Sequence, residues 1–527
     1  MTATRPLQAP SDHGTVLAVP PLDDAGRILA LNRERLKQSS ISFLGRPWPE
    51  LQALARRELL AAAGSYLGEH SEPSPAANSI SIVMAGHQPE LFHPGVWVKN
   101  FVLHGIARRH GCVPVNLVVD NDAVKSVGLH MPLVRVPLPP VEQSAPRITT
   151  IPFDRFAPDA SYEEHGVQDE ALFADFPNRV PRDWGFTPML GEFWTTVLQQ
   201  SQRTKLLGER FAAARREWER RWGCRNVEVP VSRMSQTEAF AWFACHLVAD
   251  LPHFHSVYNE CVHAYRQDHG IRSRNHPVPD LAKEGDWFES PFWAWRTGAA
   301  RRARLMARRS GNRIELRAGA ENLPALPLSM QLSVSNWLAF EQSGFKIRPR
   351  ALTNTLFARL FLCDLFIHGI GGGKYDALTD EIMSRFYGIE PPEFMVFSAT
   401  LLLPLPHYAA DADQCRQLAH QGRDLHWNPQ RHIPLDSAAA KLVFQKNAWI
   451  NQMPDARGER RARYQMLREL TEHLRSYTNE REDRARRELD RCELEVKANA
   501  VLRRRDYPFC LYPKDMLRDF CSRFLQP

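Results

Sequence analysis

The sequence lacks most of the features that announce a function outright. None of its nine cysteines form a CxxC pair and their number is odd. A disulfide framework is therefore not expected, and a reducing, cytoplasmic setting fits. No apolar run of membrane-spanning length stands out: the most apolar stretch, Leu356 to Ile370, carries Arg359, Asp364 and His368. The opening residues, MTATRPLQAPSDHG, contain no apolar core of a secretory leader. An excess of one charge is also missing. Lys and Arg number 67 against 60 Asp and Glu, far from the basic footprint of a dedicated nucleic-acid binder, so nucleic acid is not the expected partner. The Walker A, GxGxxG and HExxH patterns are absent.

What is present is an ordinary globular balance, 43% hydrophobic and 24% charged over 527 residues. At about 100–200 residues per domain, two to four domains are expected. Residues 1–78 read as a Pro-rich arm (1–25), helices (26–69) and a linker, HSEPSPAAN (70–78). Residues 79–410 read as an α/β core, with inserted α+β segments over 130–345, and residues 411–527 as a helical, coiled-coil region. Within the insertion, helices are expected near 193–221, 236–250 and 257–269, with a hairpin over 304–317 turning at Ser310-Gly311.

Two segments carry βαβ grammar. In the first, the apolar run Ser79 to Ala85 predicts a buried parallel strand, followed by the loop GHQPELFHPG (Gly86 to Gly95), a helix over 96–110 and a second strand over 113–119. That strand runs into Asp120-Asn121-Asp122. Ligands of open α/β sheets bind outside the carboxyl ends of the strands. His87, Gln88, His93, Asp120 and Asp122 are therefore expected to converge, with Gly86 and Gly95 letting backbone approach a ligand. His93, Lys99 and the helix N-terminus would hold an anion.

In the second segment, a helix (352–363) leads into a strand (365–368), the turn GIGGGKYD (Gly369 to Asp376), a helix, and a strand over 394–397 that ends in Ser398-Ala399-Thr400. Backbone N–H groups at Gly369, Gly371, Gly372 and Gly373, with Lys374, suit a phosphate or carboxylate. The competing interpretation is a tight turn needing glycine only for packing.

Other clusters carry less. Cys245, His246, His253, His255, Cys261, His263, His269 and His276 match no compact zinc spacing. The arginines at 301, 302, 304, 308, 309, 313 and 317 have no aromatic residues interleaved with them and are expected to form a solvated hairpin face. Residues 456–503 predict one long charged helix whose apolar seam, Leu467, Leu470, Leu474, Tyr477 and then Ala485, Leu489, Cys492, Val496, is broken at Arg481. It is expected to form a coiled-coil dimer or an intramolecular hairpin.

Together these blocks resemble the bacillithiol biosynthesis cysteine-adding enzyme family, BshC. GHQPELFHPGVW stands where that family has GQQxGLLxGPLY, VPVNLVVDND where it has VPVxPxFWxxxEDHD, GIGGGKYD where it has GPGExxYW, and MVFSATLL where it has PRxSxTLL. The likeness covers about residues 79–125 and 348–403 and the tail. It implies a Rossmann-like parallel-sheet core, homodimerisation through the C-terminal helix, and a ligase that joins the carboxyl group of cysteine to the amino group of an amino-sugar acceptor. By position Gly86, Gln88, Gly95, Asp120, Asp122, Gly369, Gly371, Tyr375, Ser398 and Thr400 match the motifs. Four positions depart from them: His87, Asn121, Gly372 and Val396 stand where the family has Gln, His, Glu and Arg. His87-Gln88-Pro89 also resembles the HQP loop of WbqC-like proteins.

The expected function is a BshC-like ligase or group-transfer enzyme for a small anionic substrate. His87 and His93 would be the acid/base groups, and Asp120 and Asp122 would orient the nucleophile. The substrate would be bound by Gly86, Gln88, Gly95, Lys99, Asn121, Gly369, Gly371, Gly372, Gly373, Lys374, Tyr375, Ser398 and Thr400. No resident metal is expected. The cofactor candidate is a nucleotide, ATP or ADP, with a divalent cation between carboxylates and phosphates. The alternative is a non-catalytic, ligand-binding coiled-coil dimer on the same scaffold.

Overall fold

The computed structural model of the chain describes residues 7–38, 41–70, 72, 81–157, 159–181, 183–299 and 301–526. The strand expected from Ser79 is seen from Ile82; its first two residues and nearly all of the expected linker lie outside the described residues.

The molecule is mixed α/β. The strands that make up the main paths of its two large sheets, in chain order, are β1 (Thr15–Val19), β2 (Ile82–His87), β3 (Val113–Val118), β4 (Val227–Pro230), β5 (Trp287–Arg296), β6 (Ala303–Ser310), β7 (Arg313–Ala318), β8 (Glu321–Pro327), β9 (Phe345–Pro349), β10 (Leu365–His368) and β11 (Met395–Thr400). The helices used below are α1 (Trp48–Glu69), α2 (Pro94–Arg109), α3 (Leu207–Arg221), α4 (Glu238–Ala249), α5 (Leu251–Asp268), α6 (Ile370–Tyr387), α7 (Ala412–Trp427), α8 (Ala440–Asn451), α9 (Arg457–Arg475) and α10 (Asn479–Leu502).

The main sheet has the order β1-β11-β10-β2-β3-β4. All neighbours are parallel except β1, which lies antiparallel on β11 with Thr15 opposite Thr400. The residues expected to form a loose arm thus supply an edge strand. A strand buried on both faces shows no polar alternation, and β2 shows why. Ile82 and Met84 enter the core with α1, α4 and α6, while Val83 and Ala85 enter the core with α2 and α3. All four are fully buried. Each larger side chain among them contributes about 1.5–3 kcal/mol as an upper bound.

The second sheet, β8-β7-β6-β5-β9, is antiparallel throughout. The hairpin turn at Ser310-Gly311 falls where the sequence puts it, with Ser310 opposite Arg313. This sheet meets the carboxyl edge of the first: Asn121, just after β3, donates to the Pro349 carbonyl of β9 at 2.8 Å.

Other boundaries moved. The helix expected over 193–221 is two helices, Leu190–Gln199 and α3. Ser398 and Thr400 lie inside β11 rather than after it, because pairing with β1 extends the strand. The long tail helix is also two helices, α9 and α10, interrupted at residues 476–478 and not at Arg481. Its seam turns inward: Leu470, Leu474, Ala485 and Cys492 are buried within the chain's own helical bundle. A disulfide between Cys415 of α7 and Cys492 of α10 ties that bundle together, against the expectation drawn from cysteine count. Among the described residues no helix is long and apolar enough to cross a membrane.

Candidate functional site

β2 and β10 are adjacent and parallel, with Ile367 opposite Ala85, so the loop after β2 and the glycine turn after β10 leave the same sheet edge. They differ in what they enclose. The first loop borders three cavities, because successive residues point apart. Gln88, with Asn121 and Asp122, lines a cavity of about 240 Å³. His87 and His93 line a second of about 340 Å³. Asp120, beyond Pro89, lines a third of about 270 Å³.

The first cavity is roofed by the second sheet. Gln88 Nε2 donates to Asp122 Oδ2 at 3.0 Å, and Arg302 pairs with Asp122 Oδ1 at 3.3 Å and donates to the Asn121 carbonyl at 2.5 Å. Arg302 and Arg350 both lie against the Trp293 ring, 5.0 and 4.3 Å from its centre. Arg350 also reaches the fully buried Glu289 at 2.5 Å. Tyr258 of α5 and Asn354 complete the polar lining. Asn121 Oδ1, Asn354 Oδ1 and Arg350 Nε are buried polar atoms without a hydrogen-bond partner. Each such atom costs about 1–3 kcal/mol when left unsatisfied, so residues of this cavity retain unused capacity for a ligand.

The second cavity sets two uncharged imidazoles beside the Asp506 carboxylate. Burial, then the nearby Lys99, pushes the His87 imidazole down to about 3, and burial, then Arg505, pushes His93 down to about 4. Both are uncharged near pH 7. His93 is also the N-cap of α2, its Nδ1 accepting from Gly95 N at 3.1 Å. Burial raises the Glu90 carboxyl, which takes the Tyr162 hydroxyl at 3.3 Å. Lys99 is buried and donates to the Gly86 carbonyl at 2.9 Å; burial lowers it to about 8. Asp120, in the third cavity, is held by Ser232 through its N–H at 2.9 Å and its hydroxyl. Burial, then Glu163, pushes its carboxyl up to about 7. It is a group that can carry a proton at neutral pH.

The glycine turn encloses none of these cavities. Its residues form the first turn of α6, with Gly369 as N-cap. Two of the glycines are needed for packing. A Cβ on Gly372 would sit 2.7 Å from His368 Nδ1, and one on Gly373 would sit 2.3 Å from Val396 Cγ2. Gly369 and Gly371 have open space. Lys374 is exposed, and its carbonyl accepts from the Tyr265 hydroxyl at 2.7 Å. Tyr265 follows Tyr258, which lines the first cavity, by seven residues along α5, a rise of about 10 Å. Tyr375 packs edge-on to His276. Beneath the turn, His368 Nε2 bonds Asp376 at 2.9 Å and Arg359 reaches the same carboxylate at 2.5 Å. Burial opposes the charge on Asp376, but Arg359 and His368 hold its carboxyl well below the usual range.

The last block is anchored elsewhere. Ser398 Oγ accepts from Arg505 at 3.0 Å, and Thr400 donates to the Pro10 carbonyl at 2.5 Å. Gly95 is pressed against the same strand: a Cβ there would stand 2.1 Å from the Ala399 carbonyl oxygen. The edge thus gathers the first-loop and acidic-loop residues around cavities, and sets the glycine turn, Ser398 and Thr400 beside them.

Sequence reasoning missed Trp293, Arg302 and Arg350 as site residues. The arginines do have aromatic neighbours, but on β5: Trp293 takes Arg302 and Arg350, and Trp287 takes Arg308 and Arg317, the last two each 4.6 Å from the ring centre. The aromatic run WFESPFWAWR next to the hairpin was the available signal. Among the described residues no group of three or more His, Cys, Asp and Glu is arranged to hold a metal ion. No protein-family model matches the chain, and no curated protein matches it.

Proposed function

We propose that the protein is a BshC-like small-molecule ligase or group-transfer enzyme, joining an amino acid or thiol compound to an amino-sugar-like anionic acceptor at the carboxyl edge of a Rossmann-like core. One observation carries this proposal: the first cavity brings together Arg302, paired with Asp122, and Arg350 on the same Trp293 ring, beside buried polar atoms that lack partners. That combination suits a zwitterion, with its carboxylate toward the guanidinium groups and its ammonium toward Asp122. Trp293 and Tyr258 supply a flat apolar wall. His87, one residue from Gln88, lines the adjoining cavity as a neutral imidazole, a hydrogen-bond partner for an approaching amine rather than a strong base.

A nucleotide phosphate would be held by first-turn N–H groups at Gly371 and Gly372 and by Lys374. When bound, the nucleotide would activate a carboxyl group for transfer. Homodimerisation is supported by the large apolar side chains the helical region leaves exposed, among them Trp427, Phe444 and Tyr464.

A non-catalytic, ligand-binding role on the same scaffold is the second possibility. It is favoured by the separation of His87, Gln88 and Asp120 into different cavities and by Gly372 in place of the family's glutamate. Calorimetry with cysteine, followed by mass spectrometry of a reaction with glucosaminyl-malate with and without ATP, tests both. Saturable binding that weakens more than about tenfold in Arg302→Met is expected. A condensed product establishes the ligase; binding without product across amine and thiol acceptors establishes the binding role. If cysteine and related zwitterions do not bind, the assignment of the cavity fails.

A further inference from the structure

A fourth cavity, of about 420 Å³, lies where α4 runs into α5 and meets β5, β6 and β7. It shares no lining residue with the three cavities of the sheet edge. Its floor rests on the buried side chains of Val248, Leu251, Ala307 and Ile314, and the apolar surface it offers comes from Ala249, Pro252 and Phe288. Its rim carries three cations, Lys283, Arg308 and Arg309.

These cations are not equivalent. Arg308 is committed, with Nε bonded to Glu315 at 2.7 Å and its guanidinium against Trp287. Lys283 and Arg309 are exposed, and among the described residues neither is bridged to a carboxylate. Lys283 instead lies over the Phe288 ring, 4.6 Å from its centre, so its ammonium is held at the boundary of the apolar wall. Two carboxylates share the rim. Asp250 is engaged by His253 at 3.1 Å, whereas Asp286 is exposed. A pocket with an apolar floor whose mouth offers two uncommitted cations and one free carboxylate has room for a single negative charge. It penalises a cationic or a multiply charged head group.

We propose that this cavity binds an amphipathic monoanion, an apolar chain or ring bearing one carboxylate, with its apolar body on Ala249, Pro252 and Phe288 and its carboxylate between Lys283 and Arg309.

Isothermal titration of the full chain with octanoate, octan-1-ol and octylammonium tests the proposal. Octanoate is expected to bind saturably at one site, and octylammonium not to bind. The double variant Lys283→Gln/Arg309→Gln should weaken octanoate by about tenfold, and Asp286→Asn should tighten it by about two- to threefold. All three positions are exposed, so folding is not at stake. Arg302→Met, in the sheet-edge cavity, should leave octanoate binding unchanged. No saturable binding, equal affinity for octan-1-ol, or unchanged affinity in the double variant would overturn the proposal.

Discussion

The two glycine-bearing loops at the sheet edge invite comparison. Both follow a buried parallel strand and both precede a helix, so the same topology produced them. In the first, Gly86 and Gly95 are locked against neighbouring backbone: a Cβ on Gly86 would lie 2.9 Å from the Leu117 oxygen, and one on Gly95 2.1 Å from the Ala399 oxygen. That close packing holds a loop whose side chains border three cavities. In the second, Gly372 and Gly373 make room for His368 and Val396, while Gly369 and Gly371 face open space. A glycine can therefore mark a built pocket or merely a tight approach of a helix to a strand. What separates the cases is whether other chain segments close over it.

The largest predicted effect tests that difference directly. Gly95→Ala must displace a backbone oxygen on β11, and is expected to lower stability by about 3 kcal/mol. Gly371→Ala adds a methyl group where nothing lies within 4 Å, in a helical turn, and is expected to raise stability by about 0.5 kcal/mol. Chemical denaturation of the two variants should give shifts of opposite sign. Equal losses in both would show that the second turn is as tightly built as the first.

This difference also marks where the sequence stops being legible. The strand β2, the helix α2 and the strand β3 could be read locally, because an apolar run and a helical period need only neighbouring residues. The shared sheet edge could be read too, since parallel strands joined by helices leave their loops at one end. The closure of that edge could not. Arg302 and Arg350 come from the second sheet, and their place around the first cavity depends on the pairing of β5 with β6 and β9 and on the contact between β9 and Asn121. None of these is encoded in the spacing of a motif. The tail's partner was illegible for a related reason. Its apolar seam allowed either a coiled-coil dimer or an intramolecular hairpin, and the seam residues pack within the chain, α9 against α8 and α10 against α7, the latter covalently fixed through Cys415.

A smaller effect sharpens the comparison through ligand binding. If the cavity under Trp293 and the glycine turn serve one substrate, they should fail in different ways. Arg302→Met should abolish most zwitterion binding, whereas Lys374→Met, which removes an exposed ammonium, should weaken a nucleotide by only about threefold. Calorimetry of both variants against both probes checks this. Loss of cysteine binding in Lys374→Met would mean that the turn, bonded to Tyr265 at a rise of about 10 Å along α5 from Tyr258, reaches the same ligand.

The pH-dependent effects lie at the sheet edge, where the imidazoles of the first loop and the Asp120 carboxyl of the acidic loop should tilt stability in opposite directions. His87 and His93 are pushed down to about 3 and 4, below the unfolded value of about 6.5. Between those limits the unfolded chain binds more protons, so their contribution is complete above about pH 6.5 and declines as the pH falls toward 4. Asp120 is pushed up to about 7, above an unfolded value of about 3.9. Here the folded chain binds more protons, so its contribution is complete below about pH 4 and declines as the pH rises through 7. Melting curves of Asp120→Asn should therefore show a gain over the parent chain at pH 8 that vanishes near pH 4. His87→Gln should show a relative gain at pH 5 that vanishes above pH 7. If both variants follow the parent at every pH, neither group is held out of water at the sheet edge, and the packing at Gly86 and Gly95 does not create the chemistry attributed to His87.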